Sequence, residues 1–161
     1  MSIPVIFRDH FQHAYVVRNL DKAMATFRDN YGVKNWQVMP MPEGAPMRAL
    51  ALAYVQNKIM IELIEPIPGS KSIYSDWVPE SESGARLHHH GFLIDSAEEY
   101  RRIAGQFDAL GFPAAMAGTS GDILDFHYAD TVAQLGHYCE LIHLLPGGKN
   151  FFSTVPNNEP A

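Results

Sequence analysis

Leu20, Ala23, Met24, Phe27 and Tyr31 fall on one side of a helix, with Asn19 placed to cap it and Gly32 to end it. Tyr100, Ile103, Phe107 and Leu110 form a second such face. That stretch opens on Ser96-Ala97-Glu98-Glu99, a capping-box sequence, and stops at Gly111 with Pro113 beyond. Around the two helices the apolar runs are short and strand-like. His13-Ala14-Tyr15-Val16-Val17 leads into the first helix, and 36–39, 47–54 and 58–65 follow it. His89-His90-Gly91-Phe92-Leu93 leads into the second, and 114–116, 123–128 and 136–144 follow that.

The two halves therefore repeat. Ile61-Glu62-Leu63-Ile64 is echoed by Cys139-Glu140-Leu141-Ile142, and each run ends in a Pro/Gly turn. The distance from His13 to Glu62 is 49 residues and from His89 to Glu140 it is 51. This predicts an α+β fold of two tandem βαβββ modules, at about 8–66 and 86–146, within a single domain spanning 1–161. Residues 67–85 form the connector, with a short amphipathic piece at Ser72–Val78. The tail 147–161 reads mostly as loop, with Phe151 and Phe152 docked on something apolar.

Composition narrows the function. Hydrophobic residues make up 47% of the chain and charged residues 19%, enough for a sizeable core and too apolar for disorder. The net charge is −6 and no Lys/Arg run occurs, which argues against nucleic acid and anionic membrane surfaces as partners. No apolar stretch approaches the roughly 20 residues needed to span a bilayer. The first ten residues lack the basic start and apolar run of a secretory signal, and Cys139 is the single cysteine, so a reducing, cytoplasmic setting is expected. Eight histidines stand out, three of them consecutive.

The repeat places four metal-capable side chains at matched positions: His13, Glu62, His89 and Glu140. Two imidazoles and two carboxylates suit one divalent ion per chain, Zn, Ni, Co, Mn or Fe(II), with open positions for a substrate oxygen. Side chains alternate along a strand, so Glu62 shares a face with Met60 and Ile64, and Glu140 with Tyr138 and Ile142. A carboxylate on such an interior face is costly unless it is paired or bound to metal. By the same parity Tyr15 and Tyr138 share faces with the expected ligands and become candidate substrate contacts, and His127 becomes a candidate at the pocket mouth. His88, His90, His137 and His143 read as packing or solvated residues that face away, and Cys139 as a buried small hydrophobe.

Several segments carry a family pattern: Ile61-Glu62-Leu63-Ile64-Glu65-Pro66, Ser72-Ile73-Tyr74, Leu87-His88-His89-His90-Gly91-Phe92, Asp130-Thr131 and Gly136-His137-Tyr138-Cys139-Glu140. From about His13 to Leu144 the chain resembles the vicinal oxygen chelate superfamily, which includes glyoxalase I, methylmalonyl-CoA epimerase, extradiol dioxygenases and bleomycin-resistance proteins. The nearest likeness is to the epimerase-like, glyoxalase-like branch. The resemblance implies an eight-stranded, incompletely closed sheet around a metal site, ligands at His13, Glu62, His89 and Glu140, and a homodimer. It also selects His89 within the triple histidine, as the second of two histidines before a hydrophobic-Gly-hydrophobic stretch.

The reaction that this implies is non-redox proton transfer on a small molecule bound through neighbouring oxygens, of epimerase, isomerase or glyoxalase type, with Glu140 or Glu62 carrying the proton. The alternatives are an Fe(II) extradiol-type dioxygenase acting on an aromatic substrate and a non-catalytic, resistance-type binding protein. A fourth ligand counts against the dioxygenase, and retention of all four ligand types against the binding protein. One departure from the epimerase pattern is visible: the first module's third strand, beginning Pro46-Met47-Arg48-Ala49-Leu50-Ala51, offers no acid.

Overall fold

The structure, a computed structural model, describes residues 5–160. After a 3-10 turn at Ile6–Asp9 come β1 (His10–Val17), α1 (Leu20–Tyr31), β2 (Gln37–Pro40), β3 (Met47–Val55) and β4 (Ile59–Pro66). The second half supplies β5 (Ala85–Leu93), α2 (Ala97–Ala109), β6 (Ala114–Ser120), β7 (Leu124–Ala129), α3 (Val132–Leu135) and β8 (Tyr138–Leu144). The chain continues through α4 (Pro146–Ser153) and β9 (Asn157–Asn158). Two compact units result. The first comprises Gln12–His88 with the described residues from Val155 onward; the second comprises the described residues up to Phe11 with His89–Thr154.

In the first unit the strand order is β2-β3-β4-β1, with β4 parallel to β1 and antiparallel to β3. In the second it is β6-β7-β8-β5, with β8 parallel to β5 and antiparallel to β7. The two arrangements are the same, as the sequence repeat predicts for βαβββ modules in an α+β fold.

Each helix caps as its sequence dictates. The Asn19 side chain accepts the Lys22 N–H at 3.0 Å, and Gly32 closes α1 in the left-handed conformation at φ 74°. The Ser96 hydroxyl accepts the Glu99 N–H at 3.1 Å. On β3 the alternation is of small against large residues. Ala49, Ala51 and Ala53 face α1 and let Leu20, Ala23 and Phe27 approach, together with Val17 and Leu63, whereas Leu50, Leu52 and Tyr54 occupy the other face. In the second unit Ile103 and Phe107 of α2 pack on Phe92, Ala129, Cys139 and Leu141.

Glu65 ties the start of α1 to the sheet. It accepts the Leu20 N–H at 2.9 Å and pairs with the Arg48 guanidinium through two bonds of 2.7 Å. Burial alone raises this carboxyl, but the bonds from Arg48 and the Leu20 amide hold it below its ordinary value.

Two sequence expectations change. The tail is not mostly loop: 146–153 is helical and Asn157–Asn158 pairs parallel to β3. Phe152 is buried as expected, with its ring 6.3 Å from that of Phe11. The connector carries a 3-10 turn at Ser75–Trp77 that buries Tyr74 and Trp77, and the His88 ring donates to the Ile73 carbonyl at 3.1 Å. Among the described residues no helix is long and apolar enough to cross a membrane.

Candidate active site

In the second unit two of the expected ligands meet. β5 and β8 run parallel with His89 opposite Tyr138 and Gly91 opposite Glu140, so His89 and Glu140 project from the same face. The His89 Nε2 lies 3.0 Å from the Glu140 Oε2, with side-chain exposures of 0% and 7%. Gly91, lacking a side chain, is the residue paired with Glu140 on the neighbouring strand. Tyr128, opposite Glu140 on β7, sets its ring against the His89 imidazole at 4.9 Å and an interplanar angle of 84°.

The first unit separates the other two expected ligands. β1 and β4 pair Gln12 with Met60, His13 with Ile61 and Ala14 with Glu62. Partners across a ladder point to the same face, so Glu62 shares its face with Ala14 and Gln12. His13 projects from the other face, with Ile61, Tyr15 and Leu63, which is the face that α1 covers. The Gln12 amide, 3% exposed, donates to the Met60 sulfur at 3.5 Å, on the Glu62 face. Register now matches Gln12 to His89, Ala14 to Gly91 and Glu62 to Glu140. The position given to His13 by the sequence thus falls to its neighbour Gln12. A one-residue slip along a strand reverses the side chain.

The candidate substrate contacts divide. Tyr138 shares the face of His89 and Glu140. Tyr15 does not share the Glu62 face; it packs on Phe27 of α1 at 5.6 Å, and burial raises its hydroxyl above the ordinary range. His127 lies opposite Leu141, on the side facing α2 and away from Glu140, and burial lowers its imidazole. Its physical environment is that of a core residue.

The remaining histidines stay off the ligand face, as expected. His143 donates to the Ile94 carbonyl at 3.0 Å, and His137 to the Tyr138 carbonyl at 2.8 Å. His10, His90 and His137 form a column of stacked rings, with centroids 4.8 and 4.4 Å apart. Phe92 lies 5.7 Å from His10. Ring nitrogens of His10 and His90 lie within 4.8 Å of each other.

Sequence reasoning missed Gln12 and Tyr128. The signal for Gln12 was the alignment of Gln12-His13-Ala14 with His89-His90-Gly91, a small residue two places on in each. For Tyr128 no local signal existed, because its place depends on the register of β7 against β8.

Comparison with known proteins agrees with this fold. The sequence model described as the Glyoxalase/Bleomycin resistance protein/Dioxygenase superfamily matches residues 11–122. A solved methylmalonyl-CoA epimerase in complex with methylmalonyl-CoA and NH4+ superposes with a TM-score of 0.62 at 15% identity, covering 84% of this chain and 94% of that one. The Mycobacterium tuberculosis methylmalonyl-CoA epimerase gives a TM-score of 0.63 at 15% identity, covering 88% and 91%. A Streptomyces coelicolor methylmalonyl-CoA epimerase variant in complex with 2-nitronate-propionyl-CoA gives 0.62 at 16% identity, covering 84% and 96%. No curated protein matches the sequence.

Proposed function

The chain belongs to the glyoxalase/bleomycin resistance protein/dioxygenase superfamily, and from that membership we propose that it is a divalent-metal-dependent enzyme moving a proton next to a carbonyl, of epimerase, isomerase or glyoxalase type. The observation that carries this reading is the buried pair His89 and Glu140, with donor atoms 3.0 Å apart. Glu62 and Gln12 hold the equivalent places in the first unit. An imidazole beside a carboxylate suits a borderline or hard divalent ion, Zn, Ni, Co, Mn or Fe(II).

Bound there, a divalent ion would supply Lewis acidity beside a substrate carbonyl, favouring loss of the neighbouring C–H proton. Glu140 carries the proton in this reading: with Oε2 beside His89, Oε1 is the atom that takes it up and returns it. Tyr128 fixes the His89 ring edge-on. Leu52, directly opposite Glu62, and Ile142, two places beyond Glu140, are both buried.

The test is metal content of protein purified without chelator, followed by exchange of substrate C–H for deuterium in D2O across a panel of 2-hydroxyacyl and hemithioacetal compounds. About one divalent ion per chain with exchange that Glu140→Gln abolishes is the expected result. Iron with dioxygen consumption in place of exchange would turn the assignment to an oxygenase, and a folded protein with no affinity for any of these ions would overturn it.

A further inference from the structure

The ligand-bearing face of the second unit is aromatic. Phe126, Tyr128 and Tyr138 form a chain of edge-to-face contacts, with centroids 6.1 Å and 6.5 Å apart. Ladder register places all three on the face of His89 and Glu140, since Tyr128 is opposite Glu140, Phe126 is opposite Ile142 and Tyr138 is opposite His89. The surface continues onto β6 through Gly118, opposite Phe126. A Cβ there would lie 3.1 Å from the Phe126 Cζ, so the missing side chain is what lets the ring lie over β6. Phe126 and Tyr138 remain half-exposed, whereas Tyr128 between them is buried.

Charge on these faces is one-sided. Residues 89–93, 114–120, 124–129 and 138–144 contain no Lys or Arg. A carboxylate or phosphate at the far end of a substrate would meet no cation on these segments of the second unit, and burying it unpaired is costly. Aromatic rings, by contrast, dock edge-to-face or offset on such a surface.

We infer that this face receives an aryl group, so that the substrate is an aryl compound uncharged beyond the two neighbouring oxygens it offers the metal. The inference rests on the metal site proposed above, and it sets the substrate apart from the coenzyme A thioesters named for the solved epimerases.

Two hydroxamates separate the two claims, because they share one two-oxygen chelating group and differ in the phenyl ring. Cobalt(II)-loaded protein is titrated with acetohydroxamate and benzohydroxamate, and the visible cobalt spectrum reports binding. Benzohydroxamate is expected to bind about tenfold more tightly or better. Phe126→Ala removes that advantage and leaves acetohydroxamate unchanged, which also shows that the variant is folded. Phe126→Leu, with a bulkier side chain, keeps part of it. 4-Carboxybenzohydroxamate, charged at the far end of the ring, is expected to bind about tenfold more weakly than benzohydroxamate. Equal affinity for acetohydroxamate and benzohydroxamate overturns the aryl assignment alone. Equal or tighter binding of the carboxylated probe overturns the uncharged-substrate claim. Failure of acetohydroxamate itself to bind overturns the metal site and this inference with it.

Discussion

Gln12 and Glu62 project from one face of the first unit, two strand positions out of register, in the same relation that His89 bears to Glu140 in the second. An amide on β1 therefore occupies the place that an imidazole takes on β5. A neutral amide oxygen is a harder and weaker donor than an imidazole nitrogen.

The second unit's pair can be tested directly. His89→Ala is expected to weaken metal affinity by at least about tenfold, and His127→Ala, on the opposite face, to leave it unchanged. Competition with a chromogenic chelator measures both, and full metal retention in His89→Ala would overturn the assignment.

His127 governs part of the acid response. Its imidazole is lowered by burial, and its Nε2 has no hydrogen-bond partner among the described residues. The unfolded chain takes up this proton below about pH 6.5 and the folded protein does so only at lower pH. Stability is therefore lost as pH falls from about 6.5 toward the folded value. His127→Leu removes that slope and stabilises by about 1 kcal/mol at neutral pH. Urea unfolding at pH 5.5 and pH 8 tests it, with metal content unaltered because the ring faces α2.

Glu65 acts at lower pH. Its carboxyl is held below the ordinary value by Arg48 and the Leu20 amide against the opposing effect of burial. Its contribution is complete above the unfolded value of about 4.3 and disappears as pH falls through the lower folded value. Arg48→Met raises the folded value, moves the acid-unfolding midpoint upward and costs about 1 kcal/mol at neutral pH. An unchanged acid midpoint in this variant would refute the account.

Asn158 holds the last strand. It is 7% exposed, its Oδ1 accepts the Lys34 and Asn35 N–H groups at 2.9 Å each, and its Nδ2 donates to the Asn35 and Tyr54 carbonyls. Asn158→Ala leaves these groups unpartnered and is expected to destabilise by about 2–4 kcal/mol, read as a lower urea midpoint.

The sequence made the strands and two main helices legible because caps, turns and apolar periodicity agree at each. The Glu-Leu-Ile echo put Glu62 and Glu140 at matching ladder positions. On the first strand the residue that shares the Glu62 face is Gln12 and not His13, because donor type was weighed above spacing. Gln12 to His89 is 77 residues, nearer than 76 from His13 to the 78 from Glu62 to Glu140. The helix at 146–153 was hidden by Pro146-Gly147-Gly148, which reads as a turn. A Cβ at Gly148 would lie 2.1 Å from the Ile123 carbonyl oxygen, so that glycine serves close packing of the helix.

The first unit takes its last strand from beyond the second half of the chain, at Asn157–Asn158. During synthesis Gln12–His88 leaves the ribosome roughly 70 residues before that strand exists, several seconds at usual elongation rates of about 5–20 residues per second. For that interval the outer side of β3 near Tyr54 and Val55 and the amides of Lys34 and Asn35 have only water to bond. The nascent first unit therefore waits, incompletely closed, until Asn157–Asn158 emerges.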